Sequence, residues 1–341
     1  MKLAIYKSND GFHPEWIEYC IANNIPYKLV DVYDTNIIKT LGDCSALMWH
    51  FSQNNPKDLL IAKQIIFSLL QSGKIVFPDF NTAWHFDDKL GQKFLLEALE
   101  LPLVNTYSFV DKVSAMSWAE NTNWPKVFKL RSGAGASNVK LVHSTNQAKR
   151  IVNKAFSTGF TNYDSQGSLK DTFRLYKLGK TSLMNVLKSI ALIFKKPQYA
   201  MVLGREYGYV YFQDFIPNNE YDIRTIVIGD KAFAIKRMVR EGDFRASGSG
   251  HIVYEKKHFD DSIISLSFEC ARKLKSQCVA FDFVFAGDKP LLVEISYGFA
   301  KAGYRDCTGY WDSKLNWHEG AFNPYGWMVD LVINAYNESH I

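Results

Sequence analysis

The sequence predicts an α/β N-terminal domain followed by an α+β region in two halves, and three observations predict it. The chain has 341 residues, 47% of them hydrophobic and 22% charged, enough apolar material for a core in each of two or three domains. Its first 85 residues alternate short apolar runs with helical stripes, the pattern of a parallel sheet built from βαβ units. From Tyr209 onward the pattern is strand-rich, with one clear helix over 259–275.

Taken in order, Leu3 to Tyr6 and Tyr27 to Val32 read as strands separated by a helix near Pro14 to Ala22. A further strand at Ala46 to Trp49 precedes a helix over Pro56 to Leu70, which Gly73 ends. Ligands of such units bind beyond the strand ends, but no GxGxxG is present, so dinucleotide binding is not supported. Asp87 to Glu100 reads as a helix, Pro125 to Leu130 and Val139 to Val142 as strands flanking the small-residue loop Ser132-Gly133-Ala134-Gly135-Ala136-Ser137. A basic, partly helical insertion occupies 160–206. Strands follow at Tyr209 to Phe215, Asp222 to Ile228, Ala232 to Arg237, Val279 to Phe285 and Leu291 to Ile295. These patterns divide the chain into 1–85, 86–208 and 209–341.

Three constellations carry chemistry. In the hairpin Ala280 to Ile295, a turn centred on Asp288 sets Asp282 opposite Glu294 on one face, about 5 Å apart. Like charges directly opposed destabilise a sheet, so a hard divalent cation, Mg²⁺ above all, is their natural companion. The same residues also fit a hairpin one register off, or carboxylates facing solvent. The loop Ser132 to Ser137 lets backbone N–H groups close on a phosphate, although it reads equally as a flexible turn. The hairpin Asp222 to Arg237, turning at Gly229-Asp230, opposes Asp222 to Arg237 with Arg224 on the same face. That arrangement suits ribose and phosphate, and it suits a structural ion pair as well. Arg245 follows beside a glycine- and serine-rich loop fit to clamp an anion.

Taken together and in this order, these pieces resemble the ATP-grasp superfamily, most closely the branch containing ribosomal-protein glutamate ligase, glutathione synthetase and D-alanine D-alanine ligase. The resemblance rests on Asp88-Lys89-Leu90, Lys129 with the small-residue loop, Phe212-Gln213-Asp214-Phe215-Ile216, Asp222-Ile223-Arg224, Arg240 to Arg245, and Asp282 with Glu294. It covers residues from about 85 to 300, making 1–85 the preceding domain, 86–208 the lid half and 209–341 the half with the metal site. It implies ATP and Mg²⁺ held between two α+β halves. Lys89 and Lys129 would contact the nucleotide, Ser132, Gly133, Gly135 and Ser137 would belong to the lid, and the Gln213, Asp214, Phe215, Ile216 strand would meet adenine through its edge. Asp222 would bind ribose, Arg237 the phosphates, and Arg245 the substrate carboxyl or the phosphoryl group in transfer. Asp282 and Glu294 would hold the metal. Relatives usually place an Asn two residues after that Glu, whereas this chain has Ser296 there, which the resemblance makes a weaker metal ligand. The implied reaction is ADP-forming carboxylate-amine ligation through an acylphosphate, whose demands are positioning, charge neutralisation and exclusion of water. A phosphotransferase on the same scaffold and a non-catalytic nucleotide-binding protein are the alternatives.

Two further features bear on substrates and partners. The tract Tyr297 to Trp327 holds nine aromatic residues interleaved with polar ones, fitting either an acceptor site for a sugar or amino acid or a packed terminal layer, with His318 a catalytic base in the first reading. From Ser165 to Ala200 there are seven Lys and Arg against one Asp, which suits an anionic membrane surface, an acidic carrier or a polyanionic substrate, or simply a solvated face. A functional role for this stretch points to an acidic sugar nucleotide or a lipid-linked glycan intermediate in cell-surface polysaccharide or natural-product assembly. The net charge of +5 gives no argument for nucleic acid as a partner. No apolar run reaches a membrane-spanning length and no signal-like start is present, so the chain reads as cytoplasmic. Five cysteines without CxxC spacing read as buried thiols.

Overall fold

A computed structural model describes residues 1–133, 138–162, 167, 169, 172–173, 176–177, 179, 181–194, 198–239, 244–246 and 250–339. At the N terminus, β1 (Leu3–Tyr6), β2 (Tyr27–Val30), β3 (Ala46–Met48) and β4 (Ile75–Phe77) form a wholly parallel sheet in the order β2-β1-β3-β4. Strands β1 and β3 are apolar on both faces because both are covered, as parallel sheets require. Helices α1 (His13–Ala22), α2 (Ile37–Thr40) and α3 (Pro56–Gln71) connect them, and α4 (Phe80–Ala83) follows β4. Helix α3 starts where Asn55 accepts a bond from the Lys57 N–H at 3.0 Å and Pro56 supplies a helix-ready φ.

The next sheet contains β5 (Thr106–Phe109), β6 (Lys126–Lys129), β7 (Lys140–Val142) and β10 (Val210–Asp214) in the order β5-β10-β6-β7, with a separate pair β8 (Phe160–Thr161) and β9 (Arg205–Glu206). Between β4 and β7 the chain also forms α5 (Lys89–Ala98) and α6 (Lys112–Asn121), and α7 (Thr145–Ala155) follows β7. Val210, Phe212 and Phe128 pack under α6 and α7, so the alternate residues Lys129 and Gln213 fall on the opposite face. The insertion contributes α8 (Leu183–Phe194) and α9 (Gln198–Leu203), and α9 packs along α3. Because β10 is a central strand of this sheet, the division expected at 208/209 passes through the sheet rather than beside it.

The largest sheet runs β15-β14-β11-β12-β16-β17, with β11 (Tyr221–Ile228), β12 (Lys231–Met238), β14 (Cys278–Ala286), β15 (Lys289–Ser296), β16 (Gly309–Asp312) and β17 (Trp317–Glu319), while β13 (Ile252–Val253) pairs with β12. Helix α10 (Asp261–Leu274) covers one part of it, burying Ile263, Ile264 and Phe268 with Phe281 and Phe283. The C-terminal helix α11 (Pro324–Glu338) packs on α1, where the Tyr19 hydroxyl donates to Asp330 at 2.9 Å. One core joins Leu3, Ile5, Trp16 and Phe77 to Ile226, Phe233, Met328 and Val332, so the N-terminal unit is fused to the large sheet. Helix α5 is bolted to β15 as well, through Gln92 Nε2 donating to the Ile295 carbonyl at 2.9 Å. All five cysteines are unpaired, and four are buried.

Candidate active site

The large sheet carries a row of alternating charge across four strands. The β11–β12 register opposes Asp222 to Arg237 as the Gly229-Asp230 turn requires, and β11–β14 opposes Arg224 to Asp282. Asp282 in turn lies opposite Glu294, but by a different route from the expected one. The turn is Gly287-Asp288, one step out of the assumed register, and an irregularity between Asp282 and Phe283, facing the extra residue Val293, restores the pairing. Arg224 binds Asp282 through Nε at 2.6 Å and Nη2 at 3.1 Å. Arg237 binds Asp222 through Nε and Nη2, both at 2.7 Å, and reaches Asp282 Oδ1 at 3.0 Å. Burial works to raise the Asp282 carboxyl, but Arg224 and Arg237 outweigh it and hold the group below the usual carboxylate range.

Two buried lysines enter this region from elsewhere and differ in their partners. Lys89, the first residue of α5, donates to the Gly133 carbonyl at 2.8 Å and lies 3.1 Å from Glu294 Oε1. Burial lowers its pKa, but Glu294 and Asp87 more than compensate and the net shift is upward. Lys129 donates to the Gln213 amide oxygen at 2.7 Å, a neutral partner. Burial therefore dominates and lowers it to about 8. At the start of the loop the Gly133 N–H donates to Asp87 Oδ1 at 2.8 Å, and burial raises the Asp87 carboxyl to about 6. Ser132 turns the other way, donating to Glu206 at 2.6 Å and lying 2.9 Å from Asn162 Oδ1, so its hydroxyl anchors the loop rather than facing a ligand. Gly135 and Ser137 lie outside the described residues.

Between the two sheets opens a cleft of about 640 Å³. It is lined by Val104, Val127, Lys129, Gln213, Phe215 and Ile216 in and around the smaller sheet, and by Asp222, Arg224, Arg237, Asp282 and Glu294 of the large sheet. Strand β10 is paired on both sides, by β5 and β6, so Gln213 and Asp214 have no free strand edge for a base. That expectation narrows to Phe215 and Ile216, just beyond the strand. Asp214 accepts from Lys126 at 2.7 Å and from Asn105 at 3.1 Å. Arg245 also lines the cleft. Ser296, though on the wall, donates to the Gly298 carbonyl at 2.9 Å and accepts from the Gly298 N–H at 3.2 Å, which takes it out of the expected ligand set.

The cleft also brings in residues that the sequence did not single out: His50, Ser52, Gln53 and Asn54 after β3, with Phe86 and Asp87. Their signal was position, since they follow the carboxyl end of a parallel strand. His50 Nδ1 accepts from the Phe12 N–H at 3.1 Å, which leaves the ring proton on Nε2, while the His50 N–H donates to His13 Nε2 at 3.0 Å. Burial lowers His50 to about 3, so it is a neutral N–H donor across the ordinary pH range. The C-terminal aromatics, in contrast, form a packed layer: Tyr297, Tyr304 and Trp311 are buried in the cores, and of the tract only Gly298 to Ala300 and the wall residue Ser296 beside it reach the cleft. His318 stacks on Tyr310 and sits 3.1 Å from Asp312, outside the cleft.

The opposed carboxylates suit a hard cation in kind. Asp282 is held ionised, and Glu294 is the more accessible of the two, its side chain 30% exposed against 14%. Among the described residues no cluster of three or more acidic, His or Cys side chains is assembled. A Mg²⁺ held by one or two carboxylates takes its remaining oxygens from phosphates and water, and these two residues fit that demand.

Residues 188–305 match the family model of the RimK-like ATP-grasp domain. No curated protein matches the chain in sequence. Among solved structures it resembles a RimK domain ATP-grasp protein from Sphaerobacter thermophilus DSM 20745, with 15% identity and a TM-score of 0.56 over 98% of this chain and 100% of that one. D-alanine–D-alanine ligase from Bacillus anthracis, complexed with ATP, aligns with 10% identity and a TM-score of 0.56 over 99% and 97%. The ATP-grasp ligase PsnB, complexed with minimal precursor, Mg and ADP, aligns with 11% identity and a TM-score of 0.54 over 98% of each chain. Residues 188–305 thus match a RimK-like ATP-grasp domain, and the chain as a whole has the fold of the solved ATP-grasp ligases.

Proposed function

We propose that this protein is an ATP-dependent, ADP-forming carboxylate-amine ligase that works through an acylphosphate. The observation that carries the reading is a single cleft lined by a buried, amide-partnered ammonium, Lys129, by a guanidinium–carboxylate row, and by Arg245 and His50. Among the described residues no carboxylate lies within ion-pair distance of Lys129; a buried cation so placed is costly unless a ligand anion completes it, and ATP phosphates are the chemistry that does so. Adenine would lie against Val104, Val127 and Ile216 and meet the backbone after β10, with ribose toward Asp222. Mg²⁺ on Asp282 and Glu294 would neutralise phosphate oxygens. Arg237 and Arg245 would face the charge that develops on the phosphoryl group.

In the first step a carboxylate oxygen of the substrate attacks the γ-phosphorus, the bond to the bridging oxygen breaks, and ADP departs with the electron pair. In the second an amine attacks the acyl carbon, phosphate leaves with its electron pair, and the amine sheds a proton. His50, fixed as an N–H donor, would orient the acyl oxygen. Such an enzyme draws on the cytoplasmic ATP pool. The test is release of ADP and phosphate from Mg-ATP in the presence of pooled amino acids and uronic-acid sugar nucleotides, with Glu294→Ala as control. Both products, dependent on carboxylate and amine and lost in the variant, support the ligase; a phosphorylated product with ADP and no phosphate replaces it with a kinase.

A further inference from the structure

The insertion presents a surface that the cleft chemistry does not use. Helix α8 turns Leu183, Met184, Leu187 and Ile190 outward, each 41% to 59% exposed, and buries Val186 and Ser189, at 6% and 7%. A helix on a globular protein normally does the reverse, hiding its apolar stripe. The next helix, α9, continues the pattern with Met201 and Val202 exposed. Among the described residues, nine of the 17 exposed large apolar side chains fall between Phe173 and Tyr207, about a tenth of the chain. Such concentration marks an interaction surface rather than scattered surface apolarity.

We propose that this face is a docking surface for an anionic lipid bilayer. Charge selects the occupant: the segment Ser165 to Ala200 holds seven Lys and Arg against one Asp, and Lys177 and Lys188 are exposed beside the apolar residues. A second copy would set this positive charge against itself in a two-fold contact, whereas a plane of anionic headgroups complements it. At 12 residues, α8 is about 18 Å long and too short to span a hydrocarbon core. Among the described residues no helix is long and apolar enough to cross a membrane. The helix therefore lies in the interface, its Leu and Ile side chains in the acyl boundary and Lys188 at the headgroups.

The test is co-sedimentation of the full chain with vesicles of phosphatidylglycerol and phosphatidylcholine in equal parts, against phosphatidylcholine alone. Binding is expected to the anionic vesicles only and to weaken in about 0.5 M NaCl. Leu187→Glu with Ile190→Glu should cut partitioning by about tenfold or more, and Lys188→Glu by about fivefold or more, with ADP release in solution and the melting temperature unchanged. Absence of binding to anionic vesicles, or equal binding to both compositions, overturns the proposal. So does self-association in sedimentation velocity that Leu187→Glu abolishes without any vesicle binding, which assigns the face to a second copy.

Discussion

The two walls of the cleft hold buried charge in opposite ways. On the large sheet Arg237, Asp222, Arg224 and Asp282 neutralise one another strand by strand, each bond 3.1 Å or shorter, so the wall is electrostatically closed before any ligand arrives. On the facing sheet Lys129, among the described residues, hydrogen-bonds to an amide oxygen, and burial lowers its pKa to about 8 although Glu294 and Asp282 work against it. One wall holds four charges that balance one another and keeps Glu294, at the end of the row, as its more accessible carboxylate, while the other offers a buried ammonium to an anion.

The sharpest way to break this comparison is to open the closed wall. Asp282→Ala leaves two buried guanidinium groups facing one another with one counterion, and should destabilise the fold by about 3–5 kcal/mol in urea denaturation. A loss below about 1 kcal/mol would show that the row is not mutually supporting. On the other wall, Lys129→Met should lower nucleotide affinity by about 10- to 100-fold in calorimetry, with stability unchanged or raised, because it removes a charge whose burial was costly.

The pH dependence of nucleotide binding sharpens the same contrast. Below a pKa of about 8, Lys129 is already protonated and meets phosphate as a cation. Above it, binding must first take up a proton, so affinity should fall as pH rises through 8, approaching about tenfold per unit. Lys129→Arg should flatten the profile, since guanidinium stays charged. A wild-type profile that is flat from pH 7 to 9 would sink this assignment. The smallest effect is expected at Ser296: with its hydroxyl tied to Gly298, Ser296→Ala should change the Mg²⁺ dependence of turnover by less than about threefold. A larger change would return Ser296 to the metal.

How much of this could be read in advance varies from residue to residue. The Asp222–Arg237 pairing was legible because Gly229-Asp230 is a two-residue turn, and such a turn fixes register. The Asp282–Glu294 pairing was reached from a misplaced turn, and the structure agrees only because a bulge at Val293 shifts the strand by one. Ser132 and Ser296 were expected to face ligands, yet each satisfies its hydroxyl on a nearby partner, a choice set by contacts across distant segments. The aromatic tract fitted either an acceptor site or a packed layer, and burial of ring area puts Tyr297, Tyr304 and Trp311 in the cores while Phe299 reaches the cleft. His50 was missed because a histidine after a short strand carries no signal until the fold sets that strand end against the cleft.

By itself the sequence determined the parallel N-terminal sheet, both long hairpins and the opposition of Asp222 to Arg237, because side-chain alternation and turn chemistry are local; the opposition of Asp282 to Glu294 needed the bulge at Val293. Only the tertiary structure decided which carboxylate each cation serves, and why two buried lysines shift in opposite directions. Lys89 meets Glu294 and Lys129 meets Gln213, partners 205 and 84 positions away by their residue numbers. Burial and distance set electrostatic energy, and neither exists until the chain has folded.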